Sequence, residues 1–526
     1  MCTTEPAADY FRFCPGEEGI KISNAICRGR RRSSYPKCPG CQFNDDKMKT
    51  QTADSPAGRA GQTADIDAVF KAYDVRGLVP SPLSEDIAWR VGHATAQFLR
   101  AKLRGLERAD PKCRTMVVGR DMRSHSPALQ NALIEGIRST GTDIVNIGMI
   151  DTPQLYFAMN HIGGCGGIQT TASHNPAEYN GFKICGVRGV PIGQATGLNS
   201  IRDIASRVPR HQTATTARLT DRDLTEPYRD FIRRFLRGGD RLPKAVKVVV
   251  DAGNGMAGRW FPRVFDGIED LTIVPMNYEH DGTFVHDPNP LVAANLKDLR
   301  KAVKQHKADF GVSFDGDADR CIFLDERAIV IGCDLITALL ARSFLAREPG
   351  AAVVYDLRSS RVVAEEIGRA GGVPVRERVG HAFIKKTMAD HNAIFGGELS
   401  GHFYFRDNSY CDSGLLAFVH MLNALTDTDR HLSELVRSLN RYRSSGEVNF
   451  ECADKDEALQ RIAEQFSDAE IDELDGITVQ YPDWWFNVRK SNTEPLLRLN
   501  LEAGTRKVVD QKVADLAPLL GTRVAH

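Results

Sequence analysis

Long apolar runs are the feature that this sequence most clearly lacks. It contains no stretch of about 18 consecutive apolar residues, the length that a membrane-spanning helix requires. The first residues, MCTTEPAADYFRF, also lack the basic and apolar regions of a secretory signal. We therefore expect a cytoplasmic protein without a membrane partner.

An excess of one charge sign is also missing. The 68 Lys and Arg residues balance 68 Asp and Glu residues, so the formal net charge is zero. A protein that binds nucleic acid usually carries a basic excess on one face, and this balance argues against such a partner. It favours a small ligand held by local groups, and it leaves the oligomeric state open between monomer and dimer.

The chain of 526 residues is too long for one hydrophobic core, because cores seldom serve more than about 300 residues. Three short runs rich in β-branched residues, at 115–121, 246–255 and 351–360, each end in a polar turn and are followed by a helical pattern. Strands that alternate with helices predict parallel sheets covered on both faces. The similar starts suggest three related α/β domains.

The expected domain boundaries follow these runs and the changes in composition. A smaller α+β domain is expected at the end, where strand-like segments enclose a turn-rich loop. The expected divisions are a cysteine-containing extension and linker at 1–62, three α/β domains at 63–220, 221–332 and 333–442, and the α+β domain at 443–526.

The cysteines are too sparse for a disulfide framework, since only 12 occur in the whole chain. Four of them cluster in the extension: Cys14, Cys27, Cys38 and Cys41, the last two within CPGC. A Cys₄ zinc module is one interpretation, although only one of the two expected close pairs is present. Free thiols in a disordered tail, and an iron–sulfur or redox site, are the alternatives.

The first polar motif is TASHNP, with Ser173 between a strand-like segment and the Asn175-Pro176 turn. We expect an exposed hydroxyl, which suits a nucleophile, a phosphate carrier or an ordinary turn residue. His174 is its neighbour. Lys183, ten residues further on, is a candidate cation or proton carrier for the same site, and a solvated lysine is the alternative.

The second motif is DGDADR, in which Asp315, Asp317 and Asp319 alternate on a loop between two apolar strands. Three carboxylates in so little space favour Mg²⁺ or Ca²⁺, because like charges repel unless a cation neutralises them. An EF-hand is excluded, since Arg320 stands where that loop needs Gly and a strand follows where it needs a helix. A solvated acidic turn is the alternative.

The third motif, GELSGH, carries Glu398, Ser400 and His402 at alternate positions of what we predict to be an extended segment. Side chains two apart share one face of a strand, so a carboxylate, a hydroxyl and an imidazole would together face a polyol. An edge strand beside a turn is the alternative.

The fourth motif, RKSNTEP, supplies Arg489, Ser491, Asn492 and Thr493. A guanidinium, hydroxyls and loop amides suit a phosphate, whereas the pattern of a nucleotide P-loop is absent. A polar hairpin is the alternative. The four motifs together suggest phosphoryl transfer on a sugar phosphate.

TASHNP, DGDADR, GELSGH and RKSNTEP, in that order, resemble the four signatures of the α-D-phosphohexomutases, and most of all those of the bacterial phosphomannomutase/phosphoglucomutase branch. The resemblance covers roughly residues 65–520. It implies three related α/β domains with mixed sheets and a smaller α+β domain around a central cleft.

The resemblance also implies an activity. A phosphohexomutase would interconvert hexose 6-phosphate and hexose 1-phosphate, of mannose or glucose, through phosphorylated Ser173 and a hexose 1,6-bisphosphate that serves as intermediate and activator. Asp315, Asp317 and Asp319 would hold Mg²⁺ together with the phosphate of Ser173. A phosphoglucosamine mutase and a non-catalytic sugar-phosphate-binding protein are the alternatives.

Further positions match the family residue by residue. Lys183, Arg76, His174 and Arg320 are the expected catalytic partners of Ser173. The expected substrate-binding residues are Tyr73, Arg120, Arg358, His381, Glu398, Ser400, His402, Arg489, Ser491, Asn492 and Thr493. Two departures stand out: Arg358 replaces a frequent Lys, which puts its contact in doubt, and Cys411 replaces a frequent Asp.

Overall fold

The computed structural model describes residues 11–13, 21–23, 66–103, 110–211, 215–491 and 496–525. The chain forms two compact units, Ala57–Asn440 and a second unit made of Met1–Pro56 with Arg441–His526. Within the described ranges, no helix is both long and apolar enough to cross a membrane. Two short strands, β1 (Phe11–Phe13) and β2 (Lys21–Ser23), come first in the chain.

The first α/β domain has a six-stranded sheet. Its strands are β3 (Val75–Leu78), β4 (Thr115–Arg120), β5 (Asp143–Met149), β6 (Gly166–Thr170), β7 (Tyr179–Gly186) and β8 (Leu219–Asp221). Its helices are α1 (Glu85–Lys102), α2 (Ser126–Arg138), α3 (Thr152–His161) and α4 (Leu198–Arg207). The order is β3-β7-β6-β4-β5-β8. β4 lies parallel to β5 and β6, whereas β7 is antiparallel to both of its neighbours.

Two glycines allow α1 and α2 to cross closely. A Cβ at Gly92 would lie 2.2 Å from the carbonyl oxygen of Leu133, and one at Gly136 would lie 2.0 Å from that of Trp89. No larger residue fits at either position without moving a helix.

The second α/β domain has four strands: β9 (Arg241–Asp251), β10 (Glu269–Met276), β11 (Phe310–Phe314) and β12 (Cys321–Asp325). Its helices are α5 (Thr225–Arg233), α6 (Met256–Phe265) and α7 (Lys297–His306). In the order β10-β9-β11-β12, only the β11–β12 pair is antiparallel. Val248, Val249 and Val250 of β9 are fully buried, which explains why this run lacks an alternating pattern.

The third α/β domain has the order β14-β13-β15-β16-β17. The strands are β13 (Ala352–Asp356), β14 (Val373–Glu377), β15 (Phe395–Gly397), β16 (Phe403–Phe405) and β17 (Cys411–Asp412). The helices are α8 (Cys333–Leu345), α9 (Val362–Arg369), α10 (His381–Asp390), α11 (Gly414–Thr426) and α12 (Leu432–Arg437).

In its described residues, the second unit is a single eight-stranded sheet with two helices. Its later strands are β18 (Arg443–Glu451), β19 (Glu470–Asp472), β20 (Ile477–Gln480), β21 (Trp484–Lys490), β22 (Leu496–Ala503) and β23 (Thr522–Ala525). The helices are α13 (Lys455–Gln465) and α14 (Arg506–Leu520). The order is β1-β2-β23-β18-β22-β21-β20-β19, so two strands of the extension continue the C-terminal sheet, a pairing that the sequence did not reveal.

The four-domain α/β architecture with mixed sheets is confirmed. The parallel sheets expected from the strand–helix alternation differ in one respect, since each of the first three ends in antiparallel strands. The reason is chain length: the connections from β6 to β7, β11 to β12 and β15 to β16 are too short to cross over a sheet and can only form hairpins.

Candidate active site

Three of the four polar motifs occupy one topological position. Each lies in the hairpin loop that joins a parallel strand of its sheet to the antiparallel strand beside it: TASHNP between β6 and β7, DGDADR between β11 and β12, and GELSGH between β15 and β16. We call residues 171–178 the serine loop, 315–319 the acidic loop and 398–402 the glycine-flanked loop. The three domains belong to one compact unit, and contacts between these loops define the candidate site.

Ser173 lies in the serine loop with a backbone φ of 51°, in the left-handed region. A residue with a β-carbon there costs about 1–2 kcal/mol, so other contacts must hold it. The hydroxyl donates a hydrogen bond of 2.8 Å to Asp315 Oδ2. The sequence-based expectation of an exposed hydroxyl is wrong, because the acidic loop covers Ser173 and leaves it 1% exposed.

The approach between these two loops is close enough to require glycine. A Cβ at Gly316 would lie 2.5 Å from the carbonyl oxygen of Ser173. The glycine inside DGDADR therefore lets two domains bring a hydroxyl and a carboxylate together.

The acidic loop gathers three buried carboxylates. Asp315, Asp317 and Asp319 each offer an oxygen, and these oxygens all lie within 4.8 Å of one another. Thr152, at the start of α3, holds Asp317 by donating its hydroxyl to Oδ2 at 2.5 Å and its backbone N–H to the carbonyl oxygen at 3.1 Å.

The donor set fits a hard divalent cation. The Oδ1 atom of Asp317 is buried and accepts no hydrogen bond from the residues that the structure describes. The Oδ1 atom of Asp319 has only a long contact, 3.4 Å to His402 Nε2. Burying a carboxylate oxygen without a hydrogen-bond donor costs free energy, and Mg²⁺ prefers carboxylate oxygens as ligands.

Lys183 supplies part of the compensating charge. It extends from β7, and its ammonium group donates to Asp317 Oδ2 at 2.7 Å and also to Asp319. Burial by itself would lower the pKa of Lys183, but the charges of Asp317 and Asp319 outweigh it and raise the pKa. Burial and the charges of Asp319 and Asp317 raise the pKa of Asp315 well above its usual value. Arg320 shares this role, since its Nε lies 3.8 Å from Asp315 Oδ2.

The other predicted catalytic partners of Ser173 contact either the serine loop or the acidic loop. His174 Nδ1 lies 3.2 Å from Ser173 Oγ, and burial followed by the charges of nearby arginines lowers the pKa of His174 well below its usual value. Arg76 donates to the side chain of Asn175 at 2.5 Å and pairs with Asp74. The backbone N–H of Arg320 donates to Asp315 Oδ1 at 3.2 Å.

The glycine-flanked loop forms a tight turn rather than an extended strand. Glu398 N–H donates to the carbonyl oxygen of His402 at 2.9 Å, and Gly401 N–H donates to that of Glu398 at 3.1 Å, which closes a tight turn. The expected extended segment is therefore wrong; Gly401 adopts a φ of 88° and reverses the chain. Within the turn, Ser400 Oγ lies 3.0 Å from His402 Nδ1.

Glu398 accepts three hydrogen bonds, which leaves it one further acceptor site. Its Oε1 accepts from Gly380 N–H at 2.9 Å, and its Oε2 accepts from Tyr404 OH at 2.6 Å and from Ser400 Oγ at 3.4 Å. Such a carboxylate is fixed in direction and can present hydrogen-bond acceptors to a ligand.

Near this loop, the third domain contacts the second and the first domains. Cys321 N–H donates to the carbonyl oxygen of Gly401 at 3.1 Å. His381, at the start of α10, lies 6.5 Å from His402 and 5.5 Å from Tyr73, measured between ring centroids. Tyr73 and His381 are thus brought to the same region.

Two predicted substrate-binding residues, Arg358 and Arg120, donate hydrogen bonds to residues close to them in the chain. Arg358 donates to both oxygens of Asp356, at 3.2 Å and 3.0 Å. Arg120 is half-buried and donates to the carbonyl oxygen of Asp121 at 3.2 Å. Among the described residues, no hydrogen bond or ion pair joins Arg120 to Ser173 or the acidic loop.

The sequence interpretation missed a buried ion pair beneath the glycine-flanked loop. Lys385 Nζ lies 2.7 Å from Asp412 Oδ1, and Asp412 Oδ2 lies 3.6 Å from His402 Nε2. The missed signal is local: Lys385 lies in the second turn of α10 between the buried Ile384 and Met388, and Asp412 ends β17 just before the mainly apolar α11.

The fourth motif lies in the second unit. Arg489 is buried in β21 and donates to Glu447 Oε2 at 2.9 Å. The backbone N–H of Ser491 donates to the carbonyl oxygen of Leu496 at 2.9 Å. Asn492 and Thr493 fall outside the described residues, as do Cys14, Cys27, Cys38 and Cys41.

Models of one family match nearly the whole body of the chain. The four domains of phosphoglucomutase/phosphomannomutase match residues 67–211 (alpha/beta/alpha domain I), 226–329 (domain II), 333–442 (domain III) and 447–519 (C-terminal domain). The chain belongs to the phosphoglucomutase/phosphomannomutase family. The resemblance of its four motifs is thereby confirmed.

Individual relatives agree with this assignment. A phosphomannomutase of Escherichia coli K12 is 38% identical over 466 residues, covering 86% of this chain and 98% of the relative. A phosphohexose mutase of Xanthomonas campestris is 39% identical over 458 residues, with the same coverage. A crystal structure of a phosphoglucomutase/phosphomannomutase family protein from Burkholderia thailandensis, 31% identical, covers 87% of this chain and 97% of its own, with a TM-score of 0.77. This phosphoglucomutase/phosphomannomutase family member is a mutase enzyme.

Proposed function

We propose that this mutase interconverts the 6-phosphate and 1-phosphate of mannose and glucose through phosphorylated Ser173 and a hexose 1,6-bisphosphate. The observation that carries the proposal is the hydrogen bond of 2.8 Å between Ser173 Oγ and Asp315 of the acidic loop. It joins a candidate phosphate carrier to carboxylates suited to the cation that phosphoryl transfer requires.

The reaction begins with phosphorylated Ser173 and a hexose monophosphate. The bond between Ser173 Oγ and phosphorus breaks, and a bond forms between phosphorus and the free hydroxyl oxygen at one end of the sugar. The proton of that hydroxyl leaves as the new bond forms, and Ser173 regains a proton as a hydroxyl. The product of this half-reaction is the 1,6-bisphosphate.

The second half-reaction returns the other phosphate to Ser173 after the sugar has turned end for end. His174, whose Nδ1 lies 3.2 Å from Ser173 Oγ, and Lys183 are the groups we assign to hold the proton in transit. Arg76, bonded to Asn175 in the serine loop, and Arg320, beside Asp315, would balance charge on the transferring group.

Asp315, Asp317 and Asp319 would hold Mg²⁺, which supplies charge neutralisation for the transferring phosphoryl group when bound. Lys183 keeps Asp317 and Asp319 side by side. The unpartnered Oδ1 of Asp317 supports this assignment among the described residues.

The sugar and its second phosphate require a separate set of contacts. Glu398, Ser400 and His402 present a carboxylate, a hydroxyl and an imidazole in one turn, which suits the hydroxyls of either hexose. We assign Arg489, with Ser491, Asn492 and Thr493, to the phosphate that is not reacting, on the resemblance of RKSNTEP to the family's phosphate-binding loop.

The test is to replace Ser173 and follow both phosphate and turnover. The intact mass of the purified native protein should include one phosphate, and a peptide map should locate it on Ser173. Ser173→Ala should lose the phosphate and at least about 10³-fold in kcat with mannose 1-phosphate and glucose 1-phosphate, each assayed with a trace of its 1,6-bisphosphate.

Ser313→Ala is the matched control, because Ser313 is a buried serine of β11 outside the proposed machinery. It should retain the phosphate and the native kcat. An active Ser173→Ala protein would remove the phosphoserine mechanism. Preference for glucosamine 1-phosphate in the same assay would change the assigned substrate and leave the mechanism intact.

A further inference from the structure

Arg123, in the turn between β4 and α2, has contacts unlike those of a surface arginine. Its side chain is fully buried. It donates to the backbone carbonyl oxygens of Ser173 at 2.9 Å, Asn175 at 2.6 Å, Pro176 at 2.6 Å and Tyr179 at 3.1 Å. Four of its five N–H bonds therefore go to the main chain of the serine loop and its end, and the fifth goes to Asp121.

These hydrogen bonds explain how the serine loop holds Ser173 in an unfavourable backbone conformation. Ser173 has a φ of 51°, and such a residue stays left-handed only when its surroundings hold it there. The carbonyl oxygens of Ser173 and Asn175 both point at one Nη2 group. A single planar guanidinium thus fixes the Ser173–His174 and Asn175–Pro176 peptide groups, and with them the direction of the Ser173 side chain.

The guanidinium is itself held from two sides. Asp121 accepts from Arg123 Nε at 3.2 Å, and the hydroxyl of Ser126 donates to Asp121 at 2.5 Å. From the second domain, the ring of Phe284 covers the guanidinium at 5.1 Å. The loop of Phe284 approaches so closely that a Cβ at Gly282 would lie 2.7 Å from the backbone nitrogen of Ser124. The domain that carries the acidic loop therefore also encloses Arg123.

We propose that Arg123 is a positioning residue that holds Ser173 in the left-handed conformation that aims its Oγ at the acidic loop. It touches neither substrate nor reacting atoms and acts through the backbone of the serine loop. The inference rests on the proposed role of Ser173 as phosphate carrier. A loop that loses this arginine would present its phosphate in a wrong direction, and a misplacement of about 1 Å is enough to cost about 10²-fold in rate.

The test is Arg123→Lys, which keeps the charge and length but offers three donors from one point instead of a planar fork. We expect kcat with glucose 1-phosphate to fall about 10²-fold. The KM should stay within about three-fold of the native value, because no substrate contact is removed. The rate at which glucose 1,6-bisphosphate phosphorylates Ser173, followed by intact mass, should fall with kcat. A folded Arg123→Lys protein with native kcat and native phosphorylation rate would overturn the proposal.

Phe284→Leu decides the question if Arg123→Lys does not fold. It removes the aromatic face over the guanidinium and leaves all five hydrogen bonds in place, so kcat should fall several-fold at unchanged KM; in that case an unchanged kcat overturns the proposal. Failure of the proposed function is recognised separately, since a native protein without phosphate on Ser173 and an active Ser173→Ala variant would remove the phosphoserine itself. A phosphorylated native protein with an indifferent Arg123 would remove only the positioning role.

Discussion

The acidic loop and the glycine-flanked loop occupy equivalent hairpins, yet their electrostatics are opposite in kind. In the acidic loop, three buried carboxylates lie beside the ammonium group of Lys183 and the guanidinium of Arg320, and Asp317 Oδ1 has no hydrogen-bond donor among the described residues. In the glycine-flanked loop, Glu398 is bonded by Gly380, Tyr404 and Ser400. The same fold position therefore holds two kinds of carboxylate: an oxygen without a hydrogen-bond donor, which suits the proposed cation, and a hydrogen-bonded Glu398, which suits the proposed contacts with sugar hydroxyls.

Of the changes that test this comparison, Asp317→Asn in the acidic loop should have the largest effect on activity. The change keeps the shape of the side chain but removes one of the charges that would hold Mg²⁺. We expect kcat to fall by about 10³-fold and Mg²⁺ affinity, measured by calorimetry, to weaken in parallel. Unchanged Mg²⁺ affinity would mean that the cation binds at another acidic cluster.

Lys385→Met should show that the glycine-flanked loop depends on a balanced charge pair. Lys385 and Asp412 are both buried, at 5% and 1% exposure, so removal of the ammonium leaves an unpaired carboxylate. The expected loss in the free energy of unfolding is about 3–5 kcal/mol, measured by urea denaturation. Lys386→Met is the matched control: its exposed pair with Asp390 should contribute less than about 1 kcal/mol. Equal losses in the two variants would contradict the buried-pair argument.

Glu398→Gln sharpens the comparison, because it is the counterpart of Asp317→Asn in the other loop. The amide presents a donor where Gly380 or Tyr404 already donates, so the hydrogen bonds of the loop conflict. A charge-assisted hydrogen bond contributes about 1.5–3 kcal/mol, which predicts a loss of about 10- to 100-fold in kcat/KM. Mg²⁺ affinity should not change. If it weakens as much as in Asp317→Asn, the two loops are not functionally separate.

Tyr404→Phe should have the smallest effect of these changes, because it removes one of the hydrogen bonds to Glu398. It removes the hydroxyl that donates to Glu398 at 2.6 Å and leaves the buried ring in place. We expect a several-fold rise in KM for both hexose 1-phosphates and a loss of stability of about 1–2 kcal/mol, measured by chemical denaturation. Native KM values would show that the other two donors fix Glu398 by themselves.

Much of the architecture could be predicted because its signals are local. The buried run around Val248–Val250 and the alternation of strands with helices predict α/β domains directly. Alternating carboxylates in DGDADR likewise predict crowded charge, whatever the neighbouring domain contributes. The antiparallel ends of the sheets were harder to predict, because they depend on which strands pair.

The errors concern burial and the geometry of turns. The serine loop has the polar composition of an exposed turn, but Ser173 is 1% exposed because a loop from another domain covers it. GELSGH has the spacing of a strand face, but Gly401 reverses the chain. No local pattern in the sequence indicates that Arg123 is buried, because it donates to main-chain carbonyl oxygens about 50 residues further along the chain.

The sequence by itself determined the order of strands and helices and the chemistry of each motif, because hydrophobic periodicity and side-chain type act over a few residues. Only the tertiary structure decided that Ser173 meets Asp315, which lies 142 positions further along the chain, and that Ser173 is buried. Such a contact depends on the packing of whole domains, which local preferences do not encode.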